Sequence, residues 1–78
     1  MKLDITIYTK SNCPNCLTAK TLLKTKGLPY TELWVDANPL AEQKMRDANI
    51  RQMPAIYINN QFVGGLAGLQ AALKQVGL

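Results

Sequence analysis

The chain has two cysteines, and they lie two residues apart in Cys13-Pro14-Asn15-Cys16, where one hydrophobic pattern gives way to another. Before them, Leu3-Asp4-Ile5-Thr6-Ile7-Tyr8 alternates with the period of a strand. After them, Cys16, Ala19, Leu22 and Leu23 fall on one face of a helix. A strand feeding a helix through a C-x-x-C turn points to an α/β fold and reads as a dithiol redox site. The placement supplies the chemistry, because a helix N-terminus stabilises a thiolate. Pro14 suits the first helical position, where a missing N–H costs little.

The rest of the chain continues the alternation of strand and helix. Lys24 and Lys26 close the first helix, Gly27 suits its C′ position, and Pro29 prevents continuation. Tyr30–Val35 reads as a second strand. Its Leu33-Trp34-Val35 run is apolar on both faces and predicts an inner strand covered on both sides. Asn38-Pro39 caps a second helix, with Ala41, Met45 and Ala48 on one face. Pro54 precedes a third strand, Ala55-Ile56-Tyr57-Ile58. Asn59-Asn60 makes a two-residue turn tolerant of positive φ, and Gln61-Phe62-Val63 returns antiparallel. Gly64-Gly65 breaks the chain before a last helix lined by Leu66, Leu69, Leu73 and Val76. The predicted order is βαβαββα.

Length and composition narrow the function. Seventy-eight residues fit one small domain, residues 1–78. There is no histidine, which removes His-based acid–base catalysis, Ser-His-Asp triads and His metal ligands together. Nine Lys+Arg against five Asp+Glu give a net charge of +4. The basic residues form no run and the aromatics no stacking ladder, so no nucleic-acid partner is expected. No signal-peptide pattern and no apolar stretch of about 20 residues is present, so no membrane span is expected. Two cysteines in such a chain favour a reactive role in the cytoplasm.

Only a thiolate attacks a disulfide efficiently. Cys13 lies just before the helix and Cys16 one turn in, on the apolar face. Cys13 is therefore the expected nucleophile and Cys16 the shielded resolving thiol. Lys10 adds positive charge upstream. A static disulfide is the bland alternative, but so short a loop constrains little unfolded-chain entropy. Two Cys ligands are half a zinc site, so only a metal shared in a dimer would complete one. That leaves a non-catalytic, partner-binding module as the rival from another class. Met53-Pro54 is either an edge proline or a cis bond facing the dithiol. Gly64-Gly65 is either a plain turn or a backbone surface open to an anionic ligand. Lys20, Lys24, Arg46 and Arg51 read as solvated surface.

Taken together, Tyr8-Thr9-Lys10, Cys13-Pro14-Asn15-Cys16, Met53-Pro54, Asn59 and Gly64-Gly65 resemble the glutaredoxin pattern over essentially the whole chain. The resemblance implies a thioredoxin-like α/β fold, a four-stranded mixed sheet flanked by three helices. It implies reduction of protein disulfides or glutathione mixed disulfides through a redox-active Cys13–Cys16 pair, with glutathione as co-substrate and no tightly bound cofactor or metal. Ribonucleotide reductase is an implied protein substrate, and a monomer the implied state. Lys10 would meet a glutathione carboxylate. Pro14, Asn15, Gln52 and Met53 would line the groove, the Met53 backbone facing the cysteinyl part beside cis-Pro54. Gly64-Gly65 would turn next to the γ-glutamyl end.

Three positions depart from that pattern. Asn15 stands where the family usually has Tyr, and Gln52-Met53 where it usually has Thr-Val. Leu66-Ala67-Gly68 replaces a small polar or Cys residue and an Asp that holds the γ-glutamyl amine. Arg51-Gln52-Met53-Pro54 instead resembles NrdH-type redoxins, which draw electrons from thioredoxin reductase, although their Ser-Gly-Phe-Arg-Pro run is absent.

Overall fold

A computed structural model describes residues 3–77. Strand β1 (Ile5–Thr9) leads into helix α1 (Pro14–Thr25), then β2 (Thr31–Trp34), α2 (Pro39–Asp47), β3 (Ala55–Ile58), β4 (Gln61–Gly64) and α3 (Leu66–Gln75). The order matches the pattern read from the sequence. The four strands form one sheet in the order β2-β1-β3-β4. β1 pairs parallel with β2 and antiparallel with β3, and β3 pairs antiparallel with β4.

The alternation in β1 serves two cores. Ile5 and Ile7 pack with Ile56 against Ala19 and Leu23 of α1 and Leu69 and Leu73 of α3. Tyr8 points to the opposite face, where Ala55 joins Ala41 and Met45 of α2. The central strand is therefore β1, covered on both sides.

β2 does not occupy the inner position predicted for it. It lies at the sheet edge, and Trp34 is 39% exposed. The apolar run was a poor guide because Trp34 is covered by a side chain and not by a helix. The Lys20 ammonium sits 4.9 Å from the indole centroid. Two helix faces are also narrower than their periodicity implied. Ala48 is exposed at the C-cap of α2, and Val76, half exposed, caps α3 instead of lining it.

The local signals otherwise act as read. The Asn38 side chain accepts from Leu40 N–H at 3.1 Å and Ala41 N–H at 3.3 Å, capping α2 ahead of Pro39. Gly27 ends α1 with φ of +67°. Asn59 and Asn60 both take positive φ, 52° and 65°, the geometry of a type I′ hairpin turn.

Candidate active site

The dithiol sits where β1 hands the chain to α1. Cys13 is the N-cap residue of that helix and Pro14 its first residue. Cys13 and Cys16 are joined as a disulfide, their Cα atoms 5.2 Å apart. The two sulfurs are not equivalent. Cys16 is 2% exposed, while Cys13 is only partly buried. Cys13 Sγ accepts a hydrogen bond from the Cys16 backbone N–H at 3.2 Å. It thereby fills the place an Asp or Ser oxygen usually holds at a helix start.

The loop before the helix is fixed from below. The Asp36 carboxylate, just beyond β2, accepts from the Ser11 backbone N–H at 2.9 Å. Hydrogen bonds from Ser11 hold the Asp36 carboxyl below its ordinary value of 3.8. Beneath the loop, buried Thr9 donates through Oγ1 to Glu32 at 2.9 Å, and Lys20 binds the same carboxylate oxygen at 2.7 Å. Lys20 is thus partly buried and paired, not the solvated surface residue its sequence context suggested.

A second segment reaches the dithiol from across the sheet. The Met53–Pro54 bond is cis, as the resemblance implies, and Met53 O lies 3.5 Å from Cys13 Sγ. Asn15, Gln52, Met53, Pro54 and Gly65 line one cleft of about 630 Å³. Lys10 lies on the other side, bordering the same cavity as Cys13 and Pro14. Lys10 also borders a third cavity of about 400 Å³ with Met53, Arg46 and Arg51. Gly64 stands apart from these clefts. It pairs with Ile56 in the ladder, and its φ of +109° favours glycine.

Sequence reasoning left Arg51 and Phe62 out of the site and did not foresee the packing role of Gly68. Arg51 borders two of the cavities. Phe62 and Leu66 give the Gly65 cleft apolar walls. Gly68 lets α3 pack close to β4, since a Cβ there would collide with the Val63 carbonyl. Gly68 had a readable signal, a glycine inside an apolar helix. Among the described residues, no three His, Cys, Asp or Glu side chains gather to hold a metal ion. No helix among them is long and apolar enough to cross a membrane.

A C-x-x-C dithiol at a helix start, on a four-stranded mixed sheet with three helices, defines the thioredoxin-like class of redox proteins. The glutaredoxin family model matches residues 5–63. Glutaredoxin 3 of Escherichia coli K12 is 38% identical over 76 residues, 96% of this chain and 92% of that protein. The solution structure of a glutaredoxin from Brucella melitensis is 34% identical, with a TM-score of 0.68, covering 95% of this chain and 80% of that one. The NrdH-redoxin from Escherichia coli, described as a glutaredoxin-like protein with a thioredoxin-like activity profile, is 26% identical. Its TM-score is 0.77 over 87% of this chain and 92% of that one. The chain belongs to the glutaredoxin family of thiol–disulfide oxidoreductases.

Proposed function

We propose that this protein is a dithiol reductase of protein disulfides and glutathione mixed disulfides, with Cys13 as nucleophile and Cys16 as resolving thiol. The observation that carries the assignment is the asymmetry of the pair: Cys13 Sγ caps α1 and is reachable, whereas Cys16 is 2% exposed. In the reduced form, the Cys16 N–H and the helix terminus stabilise negative charge on Cys13 Sγ. That thiolate attacks the substrate disulfide, bonding to one sulfur and releasing the other as a thiolate. Cys16 then attacks Cys13 Sγ, freeing the second substrate thiol and leaving the Cys13–Cys16 disulfide. The substrate gains two electrons and the protein loses two.

Glutathione is the proposed donor for re-reduction. Lys10 beside Cys13 offers a cation for a glutathione carboxylate. The cleft of Asn15, Gln52, Met53, Pro54 and Gly65 offers space beside the sulfur. In this reading residues 1–78 act as one monomeric cytoplasmic domain, with ribonucleotide reductase among its protein substrates.

A second donor has its own support. Leu66 and Ala67 border the cleft where the family pattern has a polar residue and an Asp, so an amine contact to glutathione is missing. Arg51-Gln52-Met53-Pro54 resembles the Arg-Gln-Leu-Pro stretch of NrdH-type redoxins, with Met53 in place of Leu, and their donor is thioredoxin reductase. The test is disulfide reduction coupled in parallel to glutathione with glutathione reductase and to thioredoxin reductase. Turnover with glutathione is expected. Turnover with thioredoxin reductase alone would overturn glutathione as donor. Stoichiometric zinc in an obligate dimer of the reduced protein would overturn the catalytic reading in favour of a metal-bridged module.

A further inference from the structure

We propose that a shelf on the α1–β2 side of the dithiol docks the polypeptide around the disulfide being reduced, and that it selects apolar or aromatic side chains accompanied by a carboxylate. The shelf rests on Cys13 being the attacking thiol. It is a cavity of about 570 Å³ whose lining includes Cys13, Pro14, Leu17, Trp34, Lys10 and Lys20.

Two of these residues serve no core. Leu17 is 64% exposed and Trp34 39%, and neither belongs to either hydrophobic cluster. Leu17 lies one turn beyond Cys13, its N–H bonded to Cys13 O at 3.2 Å. Trp34 ends the edge strand in register with Thr9, the residue before Lys10. Large apolar side chains flanking a reactive sulfur give up transfer free energy that a docked partner recovers.

The wall is also held in place beforehand. Lys20 is anchored to Glu32 at 2.7 Å and stands 4.9 Å from the Trp34 ring centroid. A ring fixed before binding costs a partner less ordering entropy. The charge around the shelf favours an anion. Glu32 is neutralised by Lys20, and the Asp36 carboxylate is occupied by the Ser11 N–H. Lys10 is exposed and has no ion-pair partner among the described residues. The whole chain carries +4.

The occupant follows from continuity with the sulfur. Because Cys13 borders the shelf, whatever is covalently joined to the attacked sulfur is what reaches Leu17 and Trp34. Glutathione flanks its cysteine with γ-glutamate and glycine and has no apolar side chain to set there. A polypeptide substrate has. The reaction on the shelf is the one already written: Cys13 Sγ bonds to the peptide cysteine sulfur, the peptide's own disulfide breaks, and its partner sulfur leaves as a thiolate.

The test uses three mixed disulfides of 2-mercaptoethanol and the reduced full chain. Two are octapeptides with one cysteine each, flanked by Phe, Leu and Asp in the first and by Ser and Gly in the second. The third is glutathione. The wild-type protein should react about tenfold faster with the first peptide than with the second, equivalent to about 1.4 kcal/mol. Leu17→Gln, a helix-compatible change at an exposed position, and Trp34→Ser should each erase most of that preference and leave the glutathione rate unchanged. A separate readout needs no reaction. Trp34 is the sole tryptophan, so the first peptide with Ser for Cys should shift its fluorescence saturably in the wild type and not in Leu17→Gln. Equal wild-type rates for the two peptides alongside brisk reduction of the glutathione disulfide would overturn the shelf alone. So would a preference that survives both substitutions, or a dimer that Leu17→Gln dissociates, which would assign the face to a second copy. No reduction of any of the three would remove the Cys13 assignment and the shelf with it.

Discussion

At the scale of single residues, the proposed division of labour between Cys13 and Cys16 rests on position along one helical turn. The i, i+3 spacing puts one sulfur at the cap and the other on the buried face with Ala19 and Leu23. Cys16→Ser should therefore keep exchange with glutathionylated substrates, which needs one thiol, and lose reduction of protein disulfides that need resolution. Cys13→Ser should lose both. Iodoacetamide should alkylate Cys13 well before Cys16 in the reduced protein, as mass spectrometry of the digested product would show. Equal residual activity in the two variants, or alkylation of Cys16 first, would contradict the assigned roles. This asymmetry was legible in the sequence because a helix fixes the relation between residues three apart. The pairing of Lys20 with Glu32 was not, because 12 residues and a change of element separate them. No local pattern distinguishes a lysine that finds such a partner from one that does not.

At the scale of elements, what matters is how loops and helices are pinned to the sheet. Asp36 follows β2 and Ser11 follows β1, and their hydrogen bond ties together the two loops at the parallel edge. The Asp36 carboxyl is held below its ordinary value of 3.8, so folding favours its ionised form. Its contribution to stability is complete above that ordinary value and fades as pH falls through the lower folded value. Asp36→Asn should thus lower the melting temperature at pH 6 relative to wild type, and the gap should narrow as pH falls below 3.8 and the wild-type carboxylate takes up its proton. A gap that stays constant across that range would remove the charge from the explanation.

Gly68 poses a contest at the α3–β4 contact. Helix propensity favours alanine over glycine by about 1 kcal/mol. Against that, the new Cβ would meet the Val63 carbonyl, and backbone cannot swing aside as a side chain can. Overpacking costs typically run to about 1–3 kcal/mol, so Gly68→Ala should destabilise on balance, as urea unfolding would measure. A more stable variant would show that α3 slides along the sheet without loss. Helix α2 was readable from its cap and periodicity and α3 from periodicity after a glycine break, but this approach was not, since sequence shows that a helix contains a glycine and not what faces it. The edge position of β2 was hidden for a related reason: an apolar run records what a strand can bury, whereas its neighbours decide what it does bury.

At the scale of the whole molecule, one strand serves two cores. β1 contributes Ile5 and Ile7 to the face under α1 and α3, and Tyr8 to the face under α2. β3 divides likewise, Ile56 to one face and Ala55 to the other. Because the two clusters share these strands, neither face can empty without disturbing the pairing that holds the other. A chain of this size has a total stability of only about 4–12 kcal/mol. Met45→Ala on the α2 face or Leu73→Ala on the opposite face should each remove about 2–5 kcal/mol of it. Each loss should lower the urea midpoint while leaving the slope of the transition unchanged, with far-ultraviolet circular dichroism and the Trp34 fluorescence moving together. If the faces were independent, Met45→Ala would instead broaden the transition and the two probes would separate, because α2 and β2 would melt ahead of α1 and α3. The distinction bears on the site, since Cys13 and Cys16 stand on α1 while Met53 and Pro54 reach them from the connection between α2 and β3. Cooperative coupling of the faces keeps Met53 O beside the sulfur for as long as the protein is folded. Uncoupled faces would let the cleft open while the dithiol stayed in place, and disulfide-reductase activity would then fall at a lower temperature than the helical signal.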